Sequence, residues 1–190
     1  MNGTSAQLSR WIVACALASA VGASMGYFSG ATSLPRLLTD ALLIGSFQSL
    51  ALGSSVRRIS WIAVTVPALG LSLVAGIISV LVVGTVLGSL ERTNHDAYGV
   101  VVYGIAAALG GLVASAIQSP LLRDRPHKTP WLVGNAIGAP FVFPALAISW
   151  FAPEAMTIGV PLWLVGIAGG LVYGLVSGIG LTRSVARRPI

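Results

Sequence analysis

The chain has 190 residues, of which 55% are apolar and only 8% charged, and its mean hydropathy is +0.89. A soluble domain carries about 25% charged residues, so this chain lacks the polar surface to cover itself in water, and a soluble globular fold is excluded. The formal charge of +6 comes from Lys and Arg lying between apolar stretches rather than along one face, which argues against nucleic acid as a partner and for basic loops beside a membrane.

A membrane-spanning helix needs about 20 mainly apolar residues, and six stretches qualify: 11–30, 34–54, 61–90, 98–119, 131–151 and 157–182. The expected fold is therefore all-α, one six-helix transmembrane domain over residues 1–190. The first stretch, with Arg10 before it and Ala18-Ser19-Ala20 within it, has the outline of a secretory signal. Its small-residue pattern continues to Gly30, so it reads as a retained helix. Ile12-Val13-Ala14-Cys15 outlines a lipoprotein box with too short an apolar lead, and Cys15, the single cysteine, is expected to be a small buried thiol. The third stretch is too long for one upright helix. Pro67 near its start predicts that residues 61–66 lie at the membrane interface or before a kink, with the span beginning afterwards.

The charges between these stretches alternate. Arg10, Arg57, Arg58, Arg123, Arg125, Lys128, Arg183, Arg187 and Arg188 fall on one side, against Arg36 and Arg92 on the other. Asp40, Glu91, Asp96 and Glu154 show the opposite bias, with Asp124 the exception. Basic residues near span ends mark the cytoplasmic side. This predicts both termini in the cytoplasm and a multi-pass protein of the bacterial cytoplasmic membrane.

Two segments repeat at an offset of seventy residues. Gln48-Ser49-Leu50-Ala51-Leu52, Arg57-Arg58 and Trp61 correspond to Gln118-Ser119-Pro120-Leu121-Leu122, His127-Lys128 and Trp131. A weaker echo lays residues 173–181 on residues 44–52, matching Ala41 and Gly45 to Gly111 and Ser115 and to Gly170 and Gly174. Three quasi-repeated hairpins inserted in the same sense are expected, unlike the inverted repeats of many transporters. The Gln…Leu…Arg…Trp pattern, over residues 45–70 and 115–138, resembles a loose group of small multi-pass bacterial membrane proteins that read Gln-Trp-Leu-x-Leu-Arg and then Trp. Here Ser49 and Ser119 stand in place of that group's first tryptophan, and Gly53 in place of its arginine. The resemblance implies a multi-pass helical fold and brings no activity with it.

Several features bear on function. Small residues recur every fourth position in the first helix (Ala14, Ala18, Gly22, Gly26) and the sixth (Gly166, Gly170, Gly174, Gly178), forming faces for close helix packing, within this bundle or against a partner. Gln48 and Gln118 near the cytoplasmic ends are expected to hydrogen-bond between helices or to a loop, or to touch a polar ligand. The fifth helix carries Asn135, Pro140 and Pro144. Each proline frees a backbone carbonyl, which membrane depth tolerates only against protein or a wet cavity, so a ligand would be sought there first. Glu91, His95 and Asp96 fall together on the outer side, where a solvated loop is expected rather than a metal site. His95 and His127 are both placed in loops, and Asp40 is the one acid expected inside a span.

The sequence lacks paired titratable groups in the spans and the common catalytic motifs. No catalytic, cofactor-binding or metal-ligating set is expected, and the chain reads as not an enzyme. Two functions follow. The first is a non-catalytic accessory or scaffold subunit of a larger membrane complex, whose partners would be the lipid bilayer and other membrane subunits or a second copy. The second is a binding or transport module for a small, mostly uncharged solute. A filled interior would favour the first; a cavity beside the fifth helix would favour the second.

Overall fold

The computed structural model describes residues 3–29, 34–88, 95–122, 127–151 and 161–184. These form six long α-helices: α1 (Gly3–Ser29), α2 (Leu34–Leu52), α3 (Arg58–Val86), α4 (His95–Gln118), α5 (Thr129–Phe151) and α6 (Leu162–Arg183). No strand occurs among the described residues. Five stretches are long and apolar enough to cross a membrane: Ser5–Ser24, Leu37–Ser55, Arg58–Val86, Ala97–Leu121 and Trp163–Arg183. An apolar chain out of water must satisfy its backbone groups internally, and the helix does so within one segment.

The proline positions show how the helices are bounded. Pro120 opens a 3₁₀ turn (Ser119–Leu121) after α4, Pro130 sits in the first turn of α5, and Pro161 caps α6, all places where a missing N–H costs little. Gly53 follows α2 at φ 58°, the left-handed region that a Cβ disfavours. It begins the turn that leads to Arg57 and α3.

Pro67 lies inside a continuous helix. α3 runs unbroken for 29 residues, about 44 Å at 1.5 Å per residue. Within the bundle Trp61 is fully buried and Thr65 nearly so. Pro67 itself lies on the exposed side of α3, away from the packed seam. One correction concerns His95, which with Asp96 opens α4 rather than lying in a loop. Glu91, Arg92, Arg123, Asp124, Arg125, Glu154, Arg187 and Arg188 lie outside the described residues.

The helices close into a ring. Each packs on the next in sequence, α6 packs most extensively on α1, and α1 also touches α5. Glycines set the close approaches. A Cβ on Gly170 would stand 2.6 Å from the Cys15 carbonyl oxygen, and one on Gly166 would stand 2.6 Å from that of Ser19. Gly174 faces Ile12 and Cys15, and Gly178 faces Leu8 and Trp11. The small-residue stripe of α6 is thus consumed by α1, inside the bundle. Gly22 in α1 is buried, whereas the surroundings of Gly26 lie outside the described residues.

Corresponding seams use corresponding residues. Gly45 of α2 meets Ile62 and Thr65 of α3, as Gly174 of α6 meets Ile12 and Cys15 of α1. Gly111 of α4 meets the Asn135 carbonyl and Ala139 of α5, as Gly170 meets the Cys15 carbonyl and Ser19. The outward faces are apolar. On α3, Leu71, Val74, Ile77, Ile78, Leu81, Val82 and Val86 are all exposed, a surface suited to hydrocarbon and not to water. Asp40 is fully buried in α2, as expected for an acid inside a span.

Candidate binding cavity

Three tryptophans, each near the start of an odd-numbered helix, meet at one end of the ring. Trp11, Trp61 and Trp131 are completely buried. Trp131 lies edge-on to both others, with ring centroids 5.5 Å from Trp11 and 6.3 Å from Trp61. This is the favoured electrostatic geometry for aromatic pairs. A buried indole N–H needs an acceptor, and each finds one on the helix preceding it around the ring. Trp11 Nε1 donates to Ser177 Oγ (2.9 Å), Trp61 Nε1 to Gln48 Oε1 (3.3 Å) and Trp131 Nε1 to the Ser115 carbonyl (3.3 Å).

One turn further along, a polar layer lies on this aromatic plug. Its amide orientations are fixed by partners that can only donate or only accept. Because an indole only donates, Gln48 presents its oxygen to Trp61. The Trp131 carbonyl can only accept, so Asn135 turns its Nδ2 toward it at 2.8 Å and leaves Oδ1 to accept the Tyr173 hydroxyl. The Gln48 side chain also faces that hydroxyl. Thr65 gives its single proton to the Trp61 carbonyl at 2.8 Å. Thr65 Oγ1 can therefore only accept from Gln118, and Gln118 Nε2 donates to it at 3.1 Å.

Beyond this layer lies a cavity of about 130 Å³ to which all six helices contribute. Cys15, Ala18 and Ser19 of α1, Ile44 and Gln48 of α2, and Ala68, Leu69 and Ser72 of α3 form one part of its wall. Ala107, Gly110, Gly111, Ala114 and Gln118 of α4, Asn135, Ala139 and Val142 of α5, and Tyr173 of α6 complete it. No Asp, Glu, Lys, Arg or His is among these residues. The space exists because small residues line it: alanines and glycines supply most of the α4 wall, and larger side chains there would fill it.

The structure brings together three of the residues singled out in the sequence, Gln48, Gln118 and Asn135, on one cavity floor. Pro140 is half-buried beside the lining residue Ala139 but does not itself line the space. Pro144 lies within α5, its side chain outside the described residues. α5 continues through both prolines to Phe151. Sequence reasoning missed Tyr173, Thr65, Ser19 and Ser72. For Tyr173 a signal was present, a single hydroxyl-bearing aromatic on the glycine-rich sixth helix. For the others, hydroxyls that usually bond their own helix, there was none. The chain matches no protein-family model, no curated protein and no solved structure.

Proposed function

We propose that this protein is a non-catalytic binding or transport module for a small, mostly uncharged solute, held in the cavity above the tryptophan plug. The observation that carries this reading is the uncharged cavity itself, walled by every helix and floored by oriented amides. A scaffold subunit would be expected to have a filled interior and a glycine face left open for a partner. Here the interior is hollow, and the α6 glycine face is occupied by α1. Catalysis finds little support in the lining, where the Tyr173 proton is engaged by Asn135 and Cys15 has no base or acid among the lining residues.

The site would sit within a bundle of six spans, both termini in the cytoplasm of a bacterium. α5 then counts as a span beside the five apolar stretches, and the nine-to-two partition of basic residues supports the orientation. The equivalent glycine seams and indole bonds support three quasi-repeated hairpins arranged about the cavity.

Two experiments test these statements. In a Cys15→Ser background, Gly88→Cys is expected to react with a membrane-impermeant maleimide added to intact cells. Ser54→Cys should react only after the membrane is opened; the reverse pattern would invert the topology. For function, the protein is extracted from its native membrane in mild detergent and weighed by native mass spectrometry. A bound non-lipid small molecule is expected, and Ala107→Phe, which puts a ring into the cavity, should lose it. A stoichiometric protein partner with no small molecule would restore the scaffold reading.

A further inference from the structure

The cavity floor presents an acceptor that the described residues leave without a hydrogen bond. Gln118 is 5% exposed, and its amide orientation is imposed from behind. Thr65 spends its proton on the Trp61 carbonyl, which forces Gln118 to donate through Nε2. Its carbonyl oxygen, Oε1, makes no hydrogen bond to the described residues. Gln118 lines the cavity. A carbonyl held at such a place without a partner is costly in a low-dielectric interior. The other two floor amides differ, because the oxygens of Gln48 and Asn135 are already taken by Trp61 and Tyr173.

Resting on the binding reading above, we propose that the ligand is a small neutral molecule that donates an O–H or N–H hydrogen bond to Gln118 Oε1 while its apolar part lies against Ile44, Ala68, Leu69, Ala107 and Val142. Three features narrow the class. The lining carries no charge, so an ion would enter without a counter-charge, at high cost. The volume of about 130 Å³ is near the ~150 Å³ that holds a benzene ring, which suits a ligand of roughly six to eight heavy atoms. Apolar contacts surround most of it, with one fixed acceptor at the floor and the hydroxyls of Ser19 and Ser72 on the walls. A short alcohol, a phenol or a small amide fits this description; a sugar, an amino acid zwitterion or a metal ion does not.

The test uses the purified full chain and three probes of similar shape: benzene, anisole and phenol. Affinity is read from the concentration dependence of the thermal unfolding midpoint. Ala107→Phe, whose cavity is filled, corrects for probe dissolved in the micelle. Phenol is expected to bind about tenfold more tightly than benzene or anisole, the effect of one hydrogen bond to a buried acceptor. Gln118→Met should reduce phenol to the benzene level while leaving benzene unchanged. If Gln118→Met fails to fold, the three probes on the unmodified protein still decide. Equal affinity for phenol and benzene would overturn the donor requirement and leave the binding reading standing. No shift with any probe would overturn both.

Discussion

Trp131→Ala is expected to cost about 3 kcal/mol of stability, near the lower end of the range for burying a void where a large aromatic stood. Lipid is as apolar as the bundle interior, so little is lost by transferring the ring out of the protein. The loss comes instead from packing, because neither lipid nor water can reach the vacated space and its walls lose their contact atoms. Trp131 is the substitution to choose because it alone touches both other indoles of the plug, at 5.5 and 6.3 Å. Trp131→Phe keeps a ring between Trp11 and Trp61 but removes the bond to the Ser115 carbonyl and part of the buried ring volume, so an intermediate loss of about 1–2 kcal/mol is expected for it. Trp163→Ala, at a residue 47% exposed on α6, should lie within about 0.5 kcal/mol of the parent. Reversible unfolding in mixed micelles, followed by circular dichroism, gives all three values. Equal midpoints for Trp131→Ala and Trp163→Ala would show that the plug does not hold the ring of helices together.

How much of this was legible in the sequence depends on which physical term is asked about. The helices were legible because their cause is local: 18 or more apolar residues in a row have one economical way to satisfy their backbone. Their ends were less so. Pro67 suggests a kink or an interfacial lead-in; α3 is continuous through it, with the proline on an outward face and the inner seam of Trp61, Thr65 and Ala68 packed. The pairing of Gln48 with Trp61 and the correspondence with Gln118 and Trp131 were visible as spacing. What the glutamines do was not visible, since it turns on which partner can only donate. Gln48 and Gln118 occupy matching positions, but one gives its oxygen to an indole and the other gives its nitrogen to Thr65, where the first helix has Cys15 and the fifth has Asn135. The cavity is a property of what six separate helices fail to fill, and no single stretch of sequence encodes it. The fifth helix pointed to it only through Asn135, while Tyr173, its partner across the floor, lies 38 residues away.

The α6–α1 seam is one where a single added methyl group should be costly and should also reach the site. A Cβ at position 170 would lie 2.6 Å from the Cys15 carbonyl oxygen and 2.7 Å from the Ala16 Cα. Both are backbone atoms, which cannot turn aside as a side chain can, so Gly170→Ala must push the two helices apart. A loss of about 1–3 kcal/mol is expected, despite the better intrinsic helix propensity of alanine. Gly45→Ala meets Ile62 and Thr65 at 3.1 Å and should cost less. Gly104→Ala, with nothing within 4 Å, should be neutral or stabilising by up to about 1 kcal/mol. The same unfolding assay ranks them, and indistinguishable midpoints for Gly170→Ala and Gly104→Ala would refute the close seam. The site gives a second readout. α1 carries Cys15, Ala18 and Ser19 into the cavity wall, so separating α1 from α6 moves that wall. Gly170→Ala should therefore weaken binding of any cavity ligand severalfold at temperatures where the variant is still folded. Gly104→Ala should leave binding at the parental level, which separates damage to the wall from a general effect of adding a methyl group to the bundle.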